Sequence, residues 1–145
     1  MDEIRSATRD DAPRIAYLAG DLGYAIGSGS IRAAIDRLRP EDGAVFVACR
    51  GDHLTGWIHV RRSELLQSEP FSEVGGLVVD PTSRGEGIGK ELLKRAEQWA
   101  ADNHLAVVRV RSNVVRSNAH LFYEGRDYGV EKTSYTFIKH LEDRG

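Results

Sequence analysis

The sequence has a single cysteine, no excess of basic residues and no apolar run long enough to cross a membrane. Cys49 alone cannot form an intramolecular disulfide framework or an all-cysteine zinc site. Twenty basic and twenty-two acidic side chains give a formal net charge of −2, so nucleic-acid binding through overall charge is excluded. A membrane-spanning helix needs about 20 apolar residues, and the sequence has no such run. From the charge balance and the absence of such a run, we expect neither a nucleic acid nor a membrane among the partners.

The composition is that of an ordinary globular protein. Of the 145 residues, 41% are hydrophobic and 29% are charged, which excludes a disordered tail and a coiled coil. No linker, repeat or low-complexity tract interrupts the chain, and its length suits one domain over residues 1–145. The charged N-terminal segment lacks the apolar core of a signal peptide. A lone cysteine suits a reducing compartment, so we expect a cytoplasmic protein.

Hydrophobic periodicity predicts a mixed α/β domain in which helices cover a sheet. The predicted element order is β-α-α-β-β-β-α-β-α-β. Glycines and serines over residues 23–30 predict a loop before the second helix. The strands are predicted at residues 2–7, 44–49, 54–60, 73–79, 106–110 and 134–138, and the helices at residues 10–22, 31–38, 87–103 and 118–124.

A glycine-rich turn joins the strand at 73–79 to the long helix. Glycine permits positive φ and a close approach of ligand to backbone. The first N–H groups of a helix lack internal partners and lie at the positive end of its dipole. Together these features suit a phosphate or pyrophosphate. The spacing fits neither a Walker P-loop, because Glu91 occupies the hydroxyl position, nor the dinucleotide fingerprint, because Lys90 stands at its third glycine.

The pattern that remains, Arg84-x-x-Gly87-x-Gly89 after an apolar strand, resembles the acyl-CoA signature of the GNAT superfamily of N-acetyltransferases. Taken alone, so short a pattern would often be a turn into a core helix; the preceding strand and the long amphipathic helix favour the functional interpretation. The resemblance implies a single-domain GNAT fold, with a mixed, mostly antiparallel sheet splayed at the cofactor cleft and about four flanking helices. It also implies that acetyl-CoA binds, with its pantetheine along Leu77, Val78 and Val79 and its pyrophosphate at Arg84, Gly85, Glu86, Gly87, Ile88, Gly89 and Lys90.

A second stretch begins at Asn118 and contains Phe122-Tyr123-Glu124. It is similar to the GNAT helix Asn-x-x-Ala-x-x-Phe-Tyr-Glu, although the interval between Asn118 and Phe122 is shorter here. The resemblance implies that Asn118 contacts the cofactor and that Tyr123 lies near its sulfur and protonates the departing thiolate. The alternative is that Phe122 and Tyr123 only pack a C-terminal helix, as most aromatic pairs do.

Glu73, at the start of the strand before the turn, matches a glutamate that serves as general base in several GNAT enzymes. Strand alternation places Glu73 on the side of Leu77 and Val79 unless a bulge intervenes, and a bulge is part of the family fold. A glutamate at the start of a strand is by default a solvated residue. His59, on the neighbouring strand, is the reserve base, and water is a third candidate.

The resemblance implies direct transfer of the acetyl group of acetyl-CoA to a primary amine of a small molecule or peptide, without a metal. A rival hypothesis is a non-catalytic acyl-CoA-binding or sensing domain, since fold does not fix function. The presence of both Tyr123 and Glu73 favours the enzyme. The sequence does not choose the acceptor among aminoglycosides, polyamines, amino acids and proteins. A homodimer is a possible assembly that the sequence does not decide.

Overall fold

The computed structural model of the chain describes residues 2–111 and 117–141. The chain divides into two compact units, residues 1–111 and residues 112–145. The first unit carries the sheet and three helices, and the second carries the last helix.

A five-stranded sheet forms the centre of the first unit, and its strands lie side by side in the order of the chain. The first four strands pair antiparallel, and the fifth pairs with the fourth in parallel. This mixed and mostly antiparallel sheet, with four helices, confirms the fold class that the sequence predicts. The strands are β1 (Glu3–Ser6), β2 (Gly43–Arg50), β3 (His53–Ser63), β4 (Phe71–Val79) and β5 (Val108–Val110).

Three helices pack on the two faces of this sheet. Side chains of the first two join an apolar cluster on one face, and the third packs on the opposite face. Short 3-10 turns flank the first helix and precede the third. The helices are α1 (Ala12–Ala19), α2 (Ser28–Arg37), α3 (Ile88–Asp102) and, in the second unit, α4 (Ser117–Glu124), with 3-10 turns at Arg9–Asp11, Gly20–Leu22 and Pro81–Ser83.

Apolar side chains hold α1 on the sheet. Ile15 and Leu18 of α1 are 2% and 0% exposed, and they cluster with Val47 of β2 and Val78 of β4. Burying one side chain of this size contributes roughly 1.5–3 kcal/mol. This cluster therefore fixes α1 over the C-terminal half of β4.

The opposite face is covered by α3, through the residues that its periodicity predicts. Ile88 and Leu92 are buried, and their side chains lie 3.3 and 3.1 Å from the position that a Cβ atom would occupy at Gly56 of β3. The same position lies 2.9 Å from the carbonyl oxygen of Val78. Because no side chain fits there, Gly56 allows α3 to pack closely on the sheet.

Two predicted elements are wrong. Residues 134–138, predicted as a final strand, belong to no strand in the part of the chain that the structure describes. Their alternation suits a strand, but a strand requires a neighbour that supplies hydrogen bonds. The loop predicted over residues 23–30 is shorter, because α2 already begins at Ser28 with Gly27 as its N-cap. The amides of Ser30 and Ile31 both donate to the carbonyl oxygen of Gly27.

No helix among the described residues combines the length and the apolar character that crossing a membrane requires. Over the same residues, no three His, Cys, Asp or Glu side chains group as metal ligands. Cys49 is a buried free thiol, and burial raises its pKa. A thiol that ionises less readily than usual is a packing residue rather than a nucleophile.

Candidate active site

One edge of β4 is paired over only part of its length. β5 pairs with Ser72, Glu73 and Val74, whereas β3 follows the other edge along the whole strand. Within residues 2–111 and 117–141, no strand lies along Gly75–Val79 on the edge away from β3. Alternate backbone N–H and C=O groups of this open edge face away from the sheet, where an extended ligand can pair with them as an added strand.

A bulge interrupts β4 at Gly75. His59 of β3 pairs with Gly76, and Val60 pairs with Val74, so Gly75 is an extra residue without a partner on β3. A bulge of this kind shifts the alternation of side chains and increases the local twist. The alternation predicted for an unbroken strand therefore does not hold across Gly75.

The bulge decides which side chains share a face with Glu73. Glu73 pairs with Arg61, and cross-strand partners lie on the same face of a sheet. Arg61 and His59 are two residues apart on β3, so His59 lies on that face as well. Leu77, which an unbroken strand would place beside Glu73, pairs with Ile58 on the α3 face instead.

Two aromatic rings cover the glycines of the bulge. The Nδ1 atom of His59 lies 3.0 Å from the position that a Cβ atom would occupy at Gly75. The corresponding position at Gly76 lies 2.8 Å from the Cη2 atom of Trp57. Any side chain at these positions would displace one of the rings. The two glycines therefore bring the imidazole and the indole directly onto the backbone of β4.

The carboxylate of Glu73 lies between guanidinium groups. Its Oε1 atom is 3.5 Å from Nη2 of Arg61, and its Oε2 atom is 3.8 Å from Nε of Arg111. Arg109 is the partner of Glu73 on β5 and stacks on the ring of Phe71 at 4.1 Å. The predicted base is therefore an ion-paired carboxylate at the end of the open edge.

His59 carries no charge at neutral pH. Burial, with a smaller contribution from the charge of Arg61, lowers the pKa of the His59 imidazole below its ordinary value. Since that value is about 6.5, the ring is neutral at pH 7. A neutral imidazole has a nitrogen that can accept a proton.

The turn between β4 and α3 presents backbone N–H groups at the start of a 15-residue helix. Gly87 is the N-cap of α3 with a φ of 84°, and Gly85 has a φ of 85°. Residues with side chains rarely adopt this left-handed conformation, and no described atom lies within 4 Å of the Cβ position of either glycine. The first amides of α3 are thus accessible to an anion. Of the residues predicted here, Arg84, Gly85, Glu86, Gly87 and Lys90 are exposed, Gly89 is half-buried and Ile88 is buried in the core.

Glu86 places a negative charge in this turn, where an anion would be repelled. Its carboxylate is paired with Arg50 of β2 at 3.1 Å, and Arg50 also pairs with Asp2 at 2.8 Å. The arginine therefore offsets the charge of Glu86, and the turn keeps the positive character of the helix N-terminus.

Asp80 anchors the turn, a role that the sequence analysis missed. Its carboxylate accepts hydrogen bonds from the amide and the hydroxyl of Thr82 at 3.0 and 2.9 Å. These two hydrogen bonds are the main reason why the pKa of Asp80 lies below its usual range. Arg14 of α1 donates to the same carboxylate, and the amide of Asp80 donates to the carbonyl oxygen of Thr55 at 2.7 Å. An aspartate followed by proline and threonine is an N-cap signal that could have revealed this role.

The second unit carries Tyr123, the predicted proton donor. Its ring meets the ring of Phe122 edge-on at 5.2 Å and that of Tyr128 at 5.8 Å, and the amide of Tyr128 donates to its carbonyl oxygen. Burial raises the pKa of Tyr123, so the hydroxyl keeps its proton at neutral pH. The side chain of Asn118 lies outside the described residues, and its contact with a cofactor stays a prediction.

A family model and two known proteins resemble the chain over most of its length. A family model described as the Acetyltransferase (GNAT) family matches residues 4–129. An aminoglycoside N(6')-acetyltransferase type 1 of Stenotrophomonas maltophilia is 32% identical over 135 residues, which are 90% of this chain and 86% of that protein. An aminoalkylphosphonate N-acetyltransferase of Salmonella typhimurium is 30% identical over 96 residues, which are 66% of this chain and 61% of that protein.

A solved structure extends the likeness to the fold. It is that of AAC(6')-Iy in complex with a bisubstrate analogue, CoA-S-monomethyl-acetylneamine. The two folds agree with a TM-score of 0.84 at 14% sequence identity, over 97% of this chain and 99% of that chain. At this identity the likeness concerns the fold alone, and it covers the mixed sheet and the helices described above.

Proposed function

The chain belongs to the GNAT family of acetyltransferases, and from this premise we propose that it transfers the acetyl group of acetyl-CoA directly to a primary amine of a small molecule or peptide. The observation that carries the proposal is the open edge of β4 at Gly75–Val79, which leads through Asp80 into the glycine turn of α3. An edge that accepts an added strand, followed at once by an anion-binding helix N-terminus, suits a ligand with an extended amide-containing arm and a pyrophosphate. Acetyl-CoA has both.

The residues present fit this acyl donor. Leu77, Val78 and Val79 lie on the open edge, so their outward backbone groups would pair with the pantetheine arm. The positive φ of the turn glycines keeps side chains away, so phosphate oxygens would reach the first amides of α3. When bound, acetyl-CoA supplies an activated thioester. The residues that we propose around its pyrophosphate are Arg84, Gly85, Glu86, Gly87, Ile88, Gly89 and Lys90.

An ammonium group must lose a proton before its nitrogen can attack a carbonyl carbon. Two groups on one face of the sheet are candidates to take that proton, the predicted base Glu73 and the reserve base His59. Glu73 is engaged by Arg61 and Arg111, whereas the imidazole is neutral because of its burial. We propose that His59 accepts this proton and that the carboxylate of Glu73 attracts the ammonium group.

His59→Gln is expected to lower kcat/KM about 100-fold and to remove the acidic limb of the pH–rate profile. Imidazole accepts a proton only in its neutral form, and the lowered pKa keeps His59 neutral down to below about pH 6.5. The activity of the unaltered enzyme should therefore fall as the pH drops through a value below 6.5 or so. Rates measured across about pH 5–9 check this expectation.

Glu73→Gln is the matched comparison, because it keeps the shape of the side chain and removes its charge. We expect the KM for the amine to rise while the acidic limb persists. The opposite pattern, with the limb lost in Glu73→Gln and kept in His59→Gln, would restore Glu73 as the base.

Two further groups would respond to the charge that develops during acetyl transfer. A backbone N–H of the open edge near Leu77 would stabilise the thioester oxygen as it becomes negative. Tyr123 would donate a proton to the departing thiolate. Its hydroxyl carries the proton over the whole neutral range, since burial raises its pKa above the ordinary value.

The test of the proposed function is the release of CoA thiol from acetyl-CoA by the purified chain with a panel of primary amines. The curated relatives are named for acceptors of different charge, aminoglycosides and aminoalkylphosphonates, so the panel contains both classes along with polyamines, amino acids and peptides. Thiol release that depends on an amine supports the proposal. Binding of acetyl-CoA with no amine-dependent release would favour the non-catalytic acyl-CoA-binding or sensing domain.

We propose that residues 1–145 act as one N-acetyltransferase domain, because the family match runs from residue 4 to residue 129. Cys49 is a free thiol, which supports the cytoplasm as the place of action. A homodimer stays a prediction, and sedimentation of the purified chain would test it.

A further inference from the structure

Arginine side chains flank the carboxylate of Glu73, on the face of the sheet that also carries His59. Arg61 and Arg111 approach the carboxylate of Glu73 at 3.5 and 3.8 Å. Arg109 is aligned with Glu73 on β5. His59 adds no charge at neutral pH. Three arginines therefore neighbour Glu73, and two of them are ion-paired with its carboxylate.

Two of these guanidinium groups keep the capacity to bind a second anion. A guanidinium has five N–H donors in a planar fork, and the contacts with Glu73 use Nη2 of Arg61 and Nε of Arg111. The two side chains are 50% and 81% exposed. Both can therefore donate to a carboxylate or phosphonate from solvent while they stay paired with Glu73.

Resting on the proposed acetyl transfer, we propose that the acceptor is a small amine that also bears an anionic group, a phosphonate or a carboxylate. The ammonium group would lie at the carboxylate of Glu73, and the anionic group would lie at Arg61 and Arg111. Opposite charges a few ångströms apart in the site would then match opposite charges a few ångströms apart in the substrate. This arrangement brings the amine next to His59.

The same charges disfavour an acceptor with several ammonium groups. Charges within a Debye length of about 8 Å are only partly screened at physiological salt, so the arginines repel further cations near Glu73. Glu64 follows β3 directly and does not offset them, because its carboxylate is paired with Arg62 at 2.8 Å.

The experiment measures kcat/KM for 2-aminoethylphosphonate, β-alanine, propylamine and the aminoglycoside neamine. We expect both amines with an anionic group to exceed propylamine by about tenfold or more, the size of effect that one desolvated charge pair gives. Neamine should be the poorest acceptor. The first two compounds distinguish a phosphonate from a carboxylate as the preferred anion.

Charge-neutralising variants connect this preference to the arginines. Arg61→Gln and Arg111→Gln should each raise the KM for the preferred anionic amine about tenfold, whereas the KM for propylamine should not rise, because the loss of an arginine removes repulsion of its ammonium group. Lys94→Gln removes an exposed charge from α3 on the opposite face of the sheet and should change neither of these KM values. Since Arg61 and Arg111 are largely exposed, thermal unfolding should confirm that both variants fold.

The outcomes separate this inference from the proposed function. If propylamine or neamine has a kcat/KM equal to that of 2-aminoethylphosphonate and β-alanine, the proposal of an anion-bearing acceptor is wrong and acetyl transfer stands. The same conclusion follows if the arginine variants affect all acceptors equally. If no amine releases thiol from acetyl-CoA, the proposed function itself fails.

Discussion

Tyr123→Phe is expected to lower kcat by about 10²–10⁴-fold, the usual contribution of a general acid. The departing thiolate would be poorly solvated beside an apolar strand, so a proton donor lowers the barrier. Transfer from a phenol to a thiolate is uphill in water, since their pKa values are near 10 and 8.5, and burial raises that of Tyr123 further. The hydroxyl must therefore act through a hydrogen bond that strengthens as charge develops on the sulfur.

The affinity for acetyl-CoA should change less than about tenfold in this variant, because the hydroxyl acts mainly in the transition state. Removing the hydroxyl keeps the ring and its contacts with Phe122 and Tyr128. Tyr135→Phe is the matched control, since Tyr135 belongs to the same unit and is 89% exposed. Single-turnover rates separate chemistry from product release. A Tyr123→Phe enzyme with a near-normal chemical step would make Tyr123 a packing residue.

Gly87→Glu is expected to weaken acetyl-CoA binding at least about 100-fold, or about 2.7 kcal/mol. Gly87 has a φ of 84°, and this conformation costs roughly 1–2 kcal/mol for a residue with a side chain. The added carboxylate would also lie at the helix N-terminus that we propose for the pyrophosphate, and it would repel the phosphates. Calorimetry with acetyl-CoA measures the effect.

Gly23→Glu is the control for this variant. Gly23 has the same φ of 84° and no described atom within 4 Å of its Cβ position, so the strain and the new charge are alike, but it follows α1 and lies outside the turn. If both variants bind acetyl-CoA equally well, the turn does not hold the pyrophosphate.

The elements that position this turn could be predicted from the sequence because their signals are local. The apolar strand, the glycines at alternate positions and the helical periodicity after Ile88 are all readable within about thirty residues. The final strand at residues 134–138 was predicted from equally local alternation, and it is absent because pairing depends on a partner that periodicity does not reveal.

The surroundings of Glu73 could not be predicted, because they depend on registers between strands that are distant in the chain. The bulge at Gly75 places the side chain of every later residue of β4 on the face of the sheet opposite to the one that unbroken alternation predicts. Arg61 and Arg111 are fifty residues apart in sequence and meet at Glu73 only because β3 and β5 flank β4. A charge pattern read along the chain therefore gives no indication of the arginines around the predicted base.

The position of Trp57 gives the protein an optical reporter of its own. The sequence has two tryptophans. The indole of Trp57 lies against Gly76 on the open edge of β4, whereas that of Trp99 donates to the carbonyl oxygen of Pro40 from α3. A ligand that settles along β4 would change the polarity around the first indole and leave the second as an internal reference. Intrinsic fluorescence can therefore follow occupancy of the strand edge in the unlabelled protein, and Trp99→Phe would isolate the signal of Trp57.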